Sequence, residues 1–190
     1  MLGSALTSKP TIFSDLKGKT RMTIIVTSEE ARELALAGKL KHTTTVQGYL
    51  SLNYSKITSL PEGLVVGGDL DLQGTKITSL PEGLKVGGDL NLAYTEITSL
   101  PEGLVVGGSL NLYGTKITSL PKGLVVQGGL YLFETQITSL PEGLVVGGDL
   151  VLNRTKIKSL PNDLKVTGTV YGTNKKMKVP KGIEYCLPFP

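Results

Sequence analysis

The stretch SLPEGLVVGGDLDLQGTKIT, Ser59–Thr78, decides how the rest of the chain is read, because it returns with small changes from Ser79, Ser99, Ser119 and Ser139. Self-similarity at a fixed period of about twenty residues is the mark of a stacked repeat architecture. A degenerate copy precedes these units from Leu40 to Ser59, keeping LSLNYSKIT but lacking LPEG, and a decaying one follows from Leu160, where NDL stands for EGL. Atypical outer units are what the two ends of a solenoid need.

Each unit reads as three short pieces. In the first, Pro61 fixes one backbone angle, and Leu64 and Val66 alternate inward. Gly67 and Gly68 follow, and two adjacent glycines suit a sharp corner at positive φ. Leu70 and Leu72 then face one side, with Asp69, Asp71 and Gln73 on the other. The last piece, TKITSL, closes the core with Ile77 and Leu80. So small a unit cannot bury its own apolar side chains, so Leu70 is expected to stack on Leu90, Leu110, Leu130 and Leu150 at a spacing of about 4.8 Å. Stacking also aligns Ser55 with Thr75, Thr95, Thr115, Thr135 and Thr155, a hydroxyl ladder in which each turn is expected to satisfy backbone groups of its neighbour.

The ends divide the chain further: residues 1–20 as a leader without assigned elements, expected to be flexible, 21–39 as a strand and capping helix, 40–183 as the solenoid and 184–190 as a C-terminal cap. Thr23–Val26 reads as the strand. In TSEEARELALAG, Thr27 or Ser28 serves as N-cap, Glu29 and Glu30 suit the positive helix end, and Gly38 is the stop. Ala31, Leu34, Ala35 and Leu36 offer the apolar face that would cover the first coil.

Composition narrows the chemistry. With 190 residues, 24 glycines, no Trp, a single His and a single Cys, the chain lacks the ligands for most metal cages. His42 is accompanied by no GxSxG motif, and Cys186 lies in IEYCLPFP with no partner thiol, which fits a reducing, cytoplasmic setting. No cofactor is expected. Asp69 and Asp89 are like-charged neighbours one coil apart, the one carboxylate pair that acid/base or Ca²⁺ chemistry would draw on. A net charge of +4, with Lys76, Lys116 and Lys156 in alternate coils only, argues against nucleic acid. No stretch suggests a signal peptide or a membrane span.

The string LxLxxTxITSLPEGL resembles the leucine-rich repeat pattern, and its LP-containing form of about twenty residues is similar to repeats of bacterial secreted effectors and of phage arrays. The resemblance covers about residues 40 to 183 and implies a bacterial or phage origin, with the host cytoplasm as setting for a phage product. It implies a right-handed coil stack; a right-handed β-helix with three strands per coil stays open as the alternative. Thr stands where that family places its ladder Asn, and the Gly-Gly pair lengthens the approach to the LxL strand.

Function should sit where copies differ on the outward side. The residue between the strand leucines runs Ser51, Asp71, Asn91, Asn111, Tyr131, Val151; the one after them runs Asn53, Gln73, Ala93, Tyr113, Phe133, Asn153; the next runs Tyr54, Gly74, Tyr94, Gly114, Glu134, Arg154. Tyr113, Tyr131 and Phe133 are therefore expected on one face within about 5 to 7 Å of one another. With Tyr94, Asn111, Glu134, Val151 and Arg154 around them, they have the composition of a protein-binding hot spot. The expected function is a non-catalytic protein-binding module, an inhibitor or decoy of a host factor being one form it would take. Self-assembly along Val65, Val105, Val125 and Val145 is the structural rival, and a carbohydrate-binding or carbohydrate-active β-helix is the third.

Overall fold

In the computed structural model the described residues are 10–14, 20–40, 44–172, 181–183 and 185–186. The expectation for His42 lies outside them, as do most of the leader and most of the C-terminal cap.

The chain is a β-solenoid of about six turns with one short N-terminal helix. Strands β1 (Pro10–Ser14) and β2 (Thr20–Thr27) precede helix α1 (Ser28–Leu36), and β1 falls within the stretch expected to be a flexible leader, where pairing with β2 orders it. Each coil then contributes two strands: β3 (Thr44–Gln47) and β4 (Leu50–Ser51), β5 (Val65–Val66) and β6 (Leu70–Asp71), β7 (Lys85–Val86) and β8 (Leu90–Asn91), β9 (Val105–Val106) and β10 (Leu110–Asn111), β11 (Val125–Val126) and β12 (Leu130–Tyr131), β13 (Val145–Val146) and β14 (Leu150–Val151), β15 (Lys165–Val166) and β16 (Val170–Tyr171). Strand β17 (Tyr185–Cys186) comes last.

Odd-numbered strands from β3 to β15 join β1 and β2 in one sheet; the even-numbered strands from β4 to β16 and β17 form the other. Coil-to-coil pairing is parallel and in register, Leu70 opposite Leu90 and Leu110 opposite Leu130. The third side of the coil, TKITSL, carries no strand, so a coil has two sheet faces and not three.

The core consists of columns. Leu50, Leu70, Leu90, Leu110, Leu130 and Leu150 are fully buried, as are Val46, Val66, Val126 and Val146 and the isoleucines from Ile77 to Ile137. A period of twenty residues places each apolar side chain on its copy in the next coil, so burial depends on neighbours and not on the unit itself.

The glycine pair has a different cause from the corner at positive φ that its sequence suggests. Within the full repeats the glycines in the left-handed region are Gly63, Gly83, Gly103, Gly123 and Gly143 with Gly74 and Gly114, while Gly67–Gly68, Gly87–Gly88, Gly107–Gly108 and Gly147–Gly148 stay outside it; only Gly48, at the same corner of the degenerate first coil, has a positive φ, of 102°. Their reason is contact: a Cβ on Gly87 would sit 2.2 Å from the Gly67 carbonyl oxygen, and one on Gly108 2.8 Å from the Asp89 backbone nitrogen. Coils at ladder spacing crowd that corner, which favours glycine there. Gln127 tests the point, since its N–H reaches the Val106 carbonyl at 3.5 Å where Gly87 and Gly107 make the same bond at 2.8 and 2.9 Å. Thr167, in the last coil, keeps the bond at 3.0 Å.

The hydroxyl ladder also bonds differently from expectation. Thr75, Thr95, Thr115 and Thr135 are buried, but each Oγ1 donates to the carbonyl three residues earlier in its own coil, at 2.7 to 2.8 Å. The donor needed no neighbour because the chain turns back on itself between Leu72 and Thr75. Ser55, lacking the methyl group, has a buried Oγ with no partner.

Helix α1 closes the open end. Thr27 is its N-cap, with a capping box to Glu30, and Gly38 at φ 65° terminates it. The helix is the crossover between β2 and the parallel β3, so the first sheet starts upstream of residue 40. The Arg32 guanidinium donates to the Ser51 carbonyl on β4, and Ser28 Oγ donates to the Gln47 carbonyl. The first of these bonds occupies an acceptor that β4, the edge of its sheet, would otherwise present. Ala31 is buried and Leu34 and Ala35 pack on the core, but Leu36, expected on the same face, is 49% exposed. It stands about 100° around the helix from Ala35, past the edge of the stripe. No helix among the described residues is long and apolar enough to cross a membrane.

Candidate binding face

The even-numbered sheet ends, in every coil, at a tight turn whose outward residues form the three variable columns. Where the strand residue is Asp71, Asn91 or Asn111, its Oδ1 accepts the N–H two residues on, at 3.1 to 3.2 Å. This closes the turn and gives Asn111 a structural task besides its place on the face.

The third column sits in the left-handed region in each of the six coils where it is described: Tyr54, Gly74, Tyr94, Gly114, Glu134 and Arg154 have φ between 54° and 66°. Glycine takes this conformation freely, whereas an L side chain there costs about 1 kcal/mol or more. The alternation with glycine has a packing consequence. The Tyr54 ring covers Gly74, where a Cβ would come within 2.6 Å of Tyr54 Cδ1, and the Tyr94 ring covers Gly114 in the same way at 3.0 Å. Each tyrosine thus leans on the next coil, and glycine is the residue that lets it.

From Tyr94 the contacts run on without a gap. Its ring meets Tyr113 edge to face at 4.7 Å between centroids, and Tyr113 meets Phe133 at 5.0 Å, both at 64°. Arg154 Cζ lies 5.2 Å from the Phe133 centroid, and its guanidinium pairs with Glu134 one coil back. Tyr113 is half-buried, and its pKa is raised from 10.0 to about 12, first by a hydrogen bond with the Tyr94 hydroxyl, then by desolvation and by the negative charge of Glu134.

Tyr131 departs from the expected cluster. No ring contact joins it to Tyr113 or Phe133 among the described residues; its ring covers Gly129, where a Cβ would stand 2.8 Å from the Tyr131 hydroxyl. The strand is only Leu130–Tyr131, and the chain has entered the turn by Phe133, so the two side chains diverge. Tyr131 instead walls a notch of about 240 Å³ lined by Asp89, Leu90, Asn91, Ser109 and Asn111. Val151, half-buried, lies in register between Tyr131 and Tyr171. Tyr171 was missed in the sequence, although adding twenty to 151 reaches it; the decayed last unit hides the period.

The aspartates are structural. Asp69, Asp89 and Asp149 each accept, through Oδ1, the N–H twenty residues on, from Asp89, Ser109 and Thr169 at 2.6 to 2.9 Å. Ser109 Oγ does the same for Gly129 at 3.2 Å. No group of three or more His, Cys, Asp or Glu gathers among the described residues where an ion could be held. Comparison of the chain with family models, with curated proteins and with solved structures finds no match.

Proposed function

We propose that the chain is a non-catalytic protein-binding module that engages its partner through the ladder Tyr94, Tyr113, Phe133, Glu134 and Arg154, with Tyr131 and Val151 alongside. The observation that carries the reading is that Tyr94, Glu134 and Arg154 are held in the left-handed region, where Gly74 and Gly114 of the same column stand at no such cost. Backbone strain retained by an exposed aromatic and charged row points to a use outside folding. Aromatic and arginine anchors in contact are the composition that dominates protein interfaces. The leucine-rich-repeat kinship suggested by the motif, and with it a bacterial or phage origin and a cytoplasmic setting, belongs to this reading. The test is comparative capture from bacterial lysate, wild type against a folded Tyr113→Ala, Phe133→Ala variant. A partner recovered by wild type and lost by the variant supports the face; equal recovery removes it.

Self-association is the second reading, because Val105 and Val125 are 51% and 41% exposed on the outer face of the odd-numbered sheet. Sedimentation over a concentration series decides it: a monomer at the highest concentration dismisses it, and a dimer abolished by Val105→Thr establishes it.

A further inference from the structure

The end at which α1 meets the first coil holds a cleft of about 590 Å³, within the range of small-molecule sites. Its walls are Arg32, Ala35 and Leu36 from the helix and Tyr54 to Ser59 from the coil. Four features set it apart from the repeated surface.

No acidic residue lines it, while Arg32 and Lys56 do. Arg32 is held in place by its bond to the Ser51 carbonyl, and Lys56 has no ion-pair partner among the described residues, unlike Lys116, which pairs with Glu96 at 3.4 Å. Ser55 Oγ, in the cleft wall, is the one buried side-chain polar atom there without a hydrogen bond, and a turn about χ1 changes what it can reach. Ile57 is only half-buried where Ile77, Ile97, Ile117 and Ile137 are fully buried, so the core column opens into the cleft, beside the exposed Leu36.

We infer that this cleft binds small organic anions: a phosphate or carboxylate group between Arg32 and Lys56, and an apolar body against Leu36 and Ile57. Two cations lining one cleft with no carboxylate in its lining attract an anion, and a guanidinium fixed by a second bond is already oriented for it. The apolar floor adds affinity that an inorganic anion cannot draw on. The inference is independent of the aromatic face, which lies in later coils.

The test titrates the full chain with phenyl phosphate, with phenol and inorganic phosphate as separate arms, following methyl resonances of Leu36 and Ile57. Phenyl phosphate is expected to saturate, about tenfold tighter than either half of the molecule, since both the ionic and the apolar contact are used. Lys56→Gln, an exposed position without partners, should weaken it about fivefold, and added salt should do likewise. Tyr113→Ala should leave binding as it is. No saturation, binding by phenol or inorganic phosphate equal to that of phenyl phosphate, or equal binding by Lys56→Gln would overturn the assignment. Arg32→Gln adds a second reading, with the circular dichroism spectrum reporting whether the cap has stayed in place.

Discussion

Two corners of the same coil differ in how much variety they allow. At the corner between the sheets, glycine stands at 48, 68, 88, 108, 128, 148 and 168; at the turn after the second sheet, the left-handed position takes Tyr, Gly, Glu or Arg. From Gly68 onward the first is crowded by the backbone of the preceding coil, so a side chain there separates two coils. The second opens outward, so a side chain there costs local strain but disturbs no ladder. Uniformity is thus imposed by stacking, and variation is confined to places where stacking is indifferent.

The largest effect that would break this contrast comes from the crowded corner. Gly108→Ala should lower stability by about 3 kcal/mol, because its Cβ meets the Asp89 backbone nitrogen and side chain. Gly103→Ala, at φ 70° with nothing within 4 Å, should cost about 1 kcal/mol from conformation alone. Urea denaturation of the two variants compares them directly, and equal losses would refute the steric account.

Next is the inner hydroxyl column. Thr115→Val removes the bond to the Leu112 carbonyl and should cost about 1 kcal/mol, whereas Ser55→Thr supplies the methyl group that the other coils use and should gain about 0.5 kcal/mol. Thermal midpoints that fall in both variants would contradict this.

At the open turn, Glu134→Gly should leave stability unchanged or raise it by up to about 1 kcal/mol, relief of the left-handed conformation offsetting an exposed ion pair of small worth. The same variant should weaken partner capture, which separates folding from recognition at one position.

The smallest effect is spectroscopic. In a tyrosinate absorbance titration one phenol should resist ionisation to about pH 12, and Tyr94→Phe should move that step back toward 10.0. The sign follows from the raised folded-state value: the contribution to stability is complete below pH 10 and is lost as pH rises through 12.

The leucine columns and the capping helix were legible in the sequence because one residue class recurs at a fixed period, and a cap has its own local signature in Thr27 and Glu30. The cause of the glycine pair was not, since φ preference and close approach both select glycine and only the distance to Gly67 distinguishes them. The repeat pattern places Tyr131 beside Tyr113 and Phe133, but a two-residue strand followed by a turn breaks the alternation that a longer strand would keep. The ladder from Tyr94 to Arg154 was half legible: the column order was right, but the lean of each tyrosine onto the next coil depends on glycines whose role the linear pattern does not disclose. The anion cleft had no signal in the repeats, arising as it does where they fail.

The claim beneath all of this is that residues twenty apart lie directly above one another. Double electron–electron resonance tests it on a Cys186→Ser background with spin labels at Lys56→Cys and Lys156→Cys, and separately at Lys76→Cys and Lys156→Cys, all at exposed positions of one column. Stacking at ladder spacing predicts distances of about 24 Å for the five-coil pair and about 19 Å for the four-coil pair. Equal or scattered distances, with no step between the two pairs, would contradict it.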